Sequence, residues 1–227
     1  MRIFTYSVLI LIVIGADALA DSDTARDQKP ISDDFHARLA PEWRWEREHP
    51  EAWRLTAGGL EIRVEPGNMW GPQNNARNVL IHPAPDPALT LVEVSVLVEN
   101  KPSNQYEQVD LTWYYNDSNM VKIGEELVDG KLSIVMGREE QDHTRTIIII
   151  PIDFTKVHLK LAVTGNHIQG FFSNPKDDEW KRAGECDLPP HVNKPGQISL
   201  QCYQGSEDVE HWARITHFQI KTGKIPR

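Results

Sequence analysis

Helical periodicity is missing from this 227-residue chain, and cysteine nearly so, with only Cys186 and Cys202. Neither thiol has a second Cys or a His at a zinc-ligand spacing, and the histidines are scattered, which argues against a structural metal knot. Positive charge is also short. Against 24 Lys and Arg stand 33 Asp and Glu, a net charge of −9. Nucleic acid and anionic lipid would meet a repulsive field, whereas neutral glycans would not. Long apolar runs are confined to the first twenty residues, so no later segment reads as a membrane span. A Gly-x-Ser-x-Gly elbow, a Cys-His signature and a phosphate loop are all lacking.

What is present at the start is a secretory signal layout. Arg2 precedes an apolar run from Ile3 to Gly15, and Ala18-Leu19-Ala20 supplies the small-x-small end. Cleavage after Ala20 is expected to give a secreted or periplasmic protein with no membrane anchor. Losing Arg2 and Asp17 leaves the net charge at −9. Residues 21–34 read as a flexible polar leader, with Asp33 to Leu39 able to form one short turn, and residues 35–227 as one domain. In an oxidising compartment Cys186 and Cys202 could form a disulfide, stabilising by roughly 3 kcal/mol. The alternative is two buried thiols.

About a dozen short runs of β-branched and aromatic residues follow, separated by Gly, Pro, Asn and Asp turns. Among them are Trp53–Thr56, Glu179–Ala183 and Gln197–Tyr203. Such a pattern predicts an all-β sandwich or barrel. Its clearest piece runs from Tyr106 to Leu127, two alternating stretches around Asn116-Asp117-Ser118-Asn119. Val109, Leu111, Trp113 and Tyr115 share one parity, so they should face the core. Gln108, Asp110, Thr112 and Tyr114 share the other and form a polar-aromatic face. Asn116–Asn119 and Asp177-Asp178 could hold a structural calcium ion, although an Asx-rich turn explains the first as well.

Several segments resemble a known family: Trp53-Arg54-Leu55-Thr56 with Gly59-Leu60-Glu61-Ile62, Asn74-Asn75-Ala76-Arg77-Asn78, Tyr106-Glu107-Gln108 leading to Trp113-Tyr114-Tyr115, Tyr203, and Trp212-Ala213-Arg214. Together they are similar to the concanavalin A-like domain at the C-terminus of family 43 β-xylosidases and to its stand-alone relatives of unknown function. The resemblance implies an all-β, two-sheet antiparallel jelly-roll sandwich with one concave sheet, acting as an accessory to a catalytic propeller for which this chain has no room. Asp110 and Thr112 depart from the small or apolar residues frequent there.

Sugar recognition needs an aromatic plane for the ring face and amide or charged partners for hydroxyls. The candidate carbohydrate-binding set is Trp70, Asn74, Asn75, Arg77, Glu107, Gln108, Asp110, Tyr114 and Lys122. The expected role is a non-catalytic carbohydrate-binding or accessory sandwich for plant- or cell-wall-type polysaccharide. One alternative is a glycoside hydrolase using Glu107 with a partner such as Glu125, since Glu107 and Asp110 should point to opposite faces. The other is a protein-binding scaffold without a small ligand.

Overall fold

The computed structural model describes residues 29–177, 179–190 and 194–225. The expected signal peptide, most of the leader, Asp178 and His191 lie outside them. In chain order the strands are β1 (Ile31–Asp33), β2 (Arg44–Glu46), β3 (Trp53–Thr56), β4 (Gly59–Arg63), β5 (Val79–Pro83), β6 (Leu91–Glu99), β7 (Gln108–Asn116) and β8 (Asn119–Val128). They continue as β9 (Lys131–Glu140), β10 (His143–Pro151), β11 (Lys156–Thr164), β12 (His167–Ser173), β13 (Lys181–Asp187), β14 (Gln197–Tyr203) and β15 (Trp212–Gly223). A single 3-10 turn, Pro50–Ala52, is the sole helical element among the described residues.

Two antiparallel sheets stack into a sandwich. One has the order β13-β12-β11-β6-β15-β4-β3, with β1 added on β15; the other runs β10-β9-β8-β7-β14-β5-β2. Alternation decides which side chains meet between them. Val92, Val94, Val96 and Val98 of β6 face Val109, Leu111 and Trp113 of β7, all at most 1% exposed. Burying each such side chain contributes about 1.5–3 kcal/mol, so a one-residue slip in register would be prohibitive.

The all-β expectation holds, and the β7–β8 hairpin forms with Asn116 opposite Asn119. Its turn needs no ion: the Asp117 carboxylate accepts from Arg47 Nη1 at 2.7 Å and from the Tyr114 hydroxyl at 2.6 Å.

Three details correct the sequence reading. A strand lies inside the expected leader: β1 pairs with β15, and Asp33 accepts from the Phe35 amide and Trp43 Nε1 at 2.8 and 3.0 Å. Three residues are too few for alternation to register, and Phe35 at φ 58° turns the chain away instead of starting a helical turn. Secondly, the strand expected at Glu179–Ala183 runs instead over Lys181–Asp187, paired to β12. Thirdly, Cys186 and Cys202 are free and buried, on β13 and β14 of different sheets. Burial pushes the Cys186 thiol up to about 11 and raises Cys202 still further.

Strand β15 serves two partners in succession. Trp212–Ile215 pairs with β4, a bulge at His217 (φ 52°) interrupts the ladder, and Phe218–Ile220 then pairs with β1.

Candidate functional site

The even-numbered side chains of β7 point away from the core onto the outer face of the seven-stranded sheet, as alternation requires. That face is not open along its whole length. The β4–β5 loop, residues 64–78, folds across it and packs Met69 and Ala76 against Val79, Ile81, Tyr114, Met120 and Tyr203. Asparagine amides knit the loop together. Asn68 accepts from the Trp70 amide at 2.9 Å, and Asn75 accepts from the Asn68 amide at 2.9 Å. Side chains also pin it to the sheet. Glu139 of β9 accepts from the Gly71 amide at 3.1 Å and Asn74 donates to Asp142 at 3.1 Å, while the backbone N–H of Gln204 donates to the Gly67 carbonyl at 3.1 Å.

Where the loop stops, a pocket of about 460 Å³ opens, within the usual range for small-ligand sites. Trp70 forms one wall, Tyr106, Thr146 and Ile149 form others, and Gln108, Lys122, Glu126 and Val135 make the floor. Trp70 reaches its position because residue 137 is glycine. A Cβ there would come within 2.4 Å of the indole. Gly137→Ala is therefore expected to displace Trp70 and lower stability by about 1–3 kcal/mol, the usual cost of overpacking. Thermal unfolding together with tryptophan fluorescence checks it; an unchanged spectrum and melting temperature would count against this packing.

Lys122 is the centre of the floor. Its ammonium, 2% exposed, lies 3.2 Å from Glu126 and 3.6 Å from Asp110, and it donates to the Gln108 side-chain carbonyl. Trp70 and Tyr203 rings stand 4.9 and 5.7 Å from it, in cation–π range. Burial works against its charge, but the two carboxylates outweigh burial and raise its pKa. Asp110 goes the other way. Burial pushes its carboxyl up to about 6 in spite of Lys122, with the Glu126 charge adding to the rise. The Tyr203 hydroxyl and Lys122 favour the Asp110 anion as hydrogen-bond donors, whereas Thr112 Oγ1 and Gln201 Oε1 have no hydrogen-bond partner among the described residues. Burial likewise pushes Glu139 up to about 7, against the Gly71 amide that favours its anion.

With that geometry in hand, comparison with known proteins is decisive for the fold. Residues 32–193 match the profile of the β-xylosidase C-terminal concanavalin A-like domain. The chain belongs to this family. No curated protein matches the chain. Among solved structures, the GH43 protein BlXynB of Bacillus licheniformis superposes with a TM-score of 0.73 at 17% identity over 84% of this chain and 39% of its own. A xylan β-1,4-xylosidase of Bacillus halodurans gives 0.73, 17%, 86% and 40%. A functionally unknown protein of Saccharomyces cerevisiae gives 0.63 at 13% identity, covering 80% of this chain and 96% of its own. The chain thus spans about two-fifths of those two enzymes and nearly all of the yeast protein.

Within this β-xylosidase-type domain the sequence candidates separate into four groups. Trp70, Gln108 and Lys122 line the pocket, and Asp110 lies directly beneath them. Tyr114 is 5% exposed and sits under the loop, bonded to Asp117. Asn74 and Asn75 tie the loop down, and Arg77 reaches His49 at 3.4 Å on the far side. Glu107 faces inward, away from the pocket.

Sequence reasoning missed Tyr106, Glu126 and Tyr203. The signal was there in part. Glu126 shares parity with Lys122, and Ser199, Gln201 and Tyr203 share one parity on β14, beside Asp110 and Gln108 in register.

Glu107 and Glu125 form a second carboxyl cluster, between the sheets at one end of the sandwich. Both are 0% exposed. Glu107 accepts from the Ser103 and Asn104 amides at 2.9 and 3.1 Å and pairs with His211. Glu125 has no hydrogen-bond partner on either oxygen. Burial, reinforced by the charges of Glu99 and Glu107, pushes its carboxyl up to about 9.

Proposed function

We propose that this protein is an exported, non-catalytic carbohydrate-binding or accessory module acting on plant- or cell-wall-type polysaccharide, with its sugar site in the Trp70–Lys122 pocket. The observation that carries the reading is the floor of that pocket. An aromatic wall stands beside an amide, an ammonium and a carboxylate, the combination that takes a sugar ring face and its hydroxyls together. Family membership supports it, since related domains accompany xylan-degrading GH43 enzymes. The reading is non-catalytic because Glu107 and Glu125, the pair suggested for a hydrolase, are sealed between the sheets beyond reach of a substrate.

Isothermal titration with xylo- and gluco-oligosaccharides tests the site. Binding is expected, with affinity falling about tenfold in Trp70→Ala and in Gln108→Ala, the loss of one aromatic or one polar contact. One observation favours a second reading, a protein-binding scaffold: the 64–78 loop already covers part of the face. Absence of saccharide binding, or binding indifferent to both substitutions, would leave that second reading standing.

A further inference from the structure

A groove of about 390 Å³ crosses the outer face of the eight-stranded sheet, on the opposite side of the sandwich from the Trp70 pocket. Its floor is a row of neighbours in register, Lys160 of β11, Ser95 of β6 and Gln219 of β15, with Phe171 of β12 next in the row beyond it. Trp180, from the segment before β13, folds over this row. The Lys160 ammonium lies between two rings, 4.8 Å from Phe171 and 4.5 Å from Trp180, which holds the indole in place. Trp180 nonetheless stays 39% exposed, one of the few large apolar side chains that do.

Charge in the groove runs against that of the chain. The protein carries −9 overall, yet Lys160 and Lys221 meet a single carboxylate here, Glu93. Glu93 turns to Lys160 at 3.5 Å. Lys221, its neighbour in register, is exposed and makes no ion pair among the described residues. One ammonium is therefore uncommitted in the same groove as a fixed aromatic plane, with Ser95 of β6, Ser173 of β12 and Gln219 of β15 offering hydroxyl and amide groups along its lining.

We infer that this groove binds an acidic saccharide, its ring stacked on Trp180 and its carboxylate on Lys221. A flat ring face flanked by hydroxyl partners suits a sugar better than an acidic peptide, which would need a hydrogen-bonding strand edge or a larger basic patch. The site lies on central strands whose edges are already paired on both sides.

Isothermal titration of the chain with tri-galacturonate provides the test. Binding is expected to weaken as salt is added. Trp180→Ala should weaken it about tenfold, and Lys221→Ala up to about fivefold, the ceiling for an exposed ion pair. Both side chains lie outside the core, so circular dichroism should show an unaltered fold. No binding at millimolar tri-galacturonate, or binding untouched by Trp180→Ala, would overturn the proposal. So would a Glu-rich peptide that binds as well as the uronate with the same dependence on both residues.

Discussion

Replacing Glu125 by Gln is expected to flatten the fall in stability that the wild-type protein shows between mildly acidic and alkaline pH. The folded chain keeps this carboxyl protonated up to about pH 9, whereas in the unfolded chain it ionises near 4.5. Unfolding therefore releases a proton throughout that window. The stabilisation is complete below 4.5 and is lost as pH rises through 9. The slope approaches about 1.4 kcal/mol per pH unit where the two states differ by a whole proton. Several kcal/mol are at stake, a large fraction of the stability of a single domain. Gln cannot ionise, so its contribution is level. Since neither oxygen of Glu125 has a partner, the substitution forfeits no hydrogen bond at low pH. Urea unfolding at about pH 5, 7 and 9 separates the cases. Parallel wild-type and variant curves would show that Glu125 is charged in the folded protein.

The second large effect is at Lys122. Lys122→Met leaves Asp110 and Glu126 facing each other without the cation between them. Breaking a buried pair from one side costs about 3–5 kcal/mol. For a domain of this size that amounts to roughly 10 °C in melting temperature at neutral pH. The deficit has a sign with pH. Lys122 holds the Asp110 carboxyl down to about 6 against the pull of burial, so its removal drives that pKa higher. Acidification to about pH 5 protonates Asp110 and relieves the unpaired charge, so the deficit shrinks there and widens toward pH 8. A melting-temperature difference that is small, or constant across that range, would show that the cation is not needed to hold the floor together.

Much of the fold was legible because alternation is local. The parity of Gln108–Tyr115 assigned both faces of β7 from a single stretch, and the inward positions of Glu107 and Glu125 follow from the same parity. The site was legible in its chemistry but not in its layout. Trp70, Gln108 and Lys122 converge only because Gly137, on a strand sixty-odd residues further along, leaves room for an indole. Nothing local announces that contact. Tyr114 has the right parity and the right chemistry, yet the 64–78 loop covers it, and covering is a property of tertiary structure. The choice between a disulfide and two buried thiols stayed open in the sequence for a similar reason, and the structure has the buried thiols. Chain separation is no measure of which sheet a strand joins, and Cys186 and Cys202 belong to different ones. The β1 strand escaped notice because its partner lies at the opposite end of the chain.

The loop that carries Trp70 is anchored at three separate points, on Gln204, Glu139 and Asp142. A visitor to the pocket consequently meets a wall already in place and has no lid to wait for. Little ordering entropy is then owed on arrival, and association should run at the pace of an ordinary diffusional encounter. Selectivity among whatever ligands the pocket takes would be written in how long each stays.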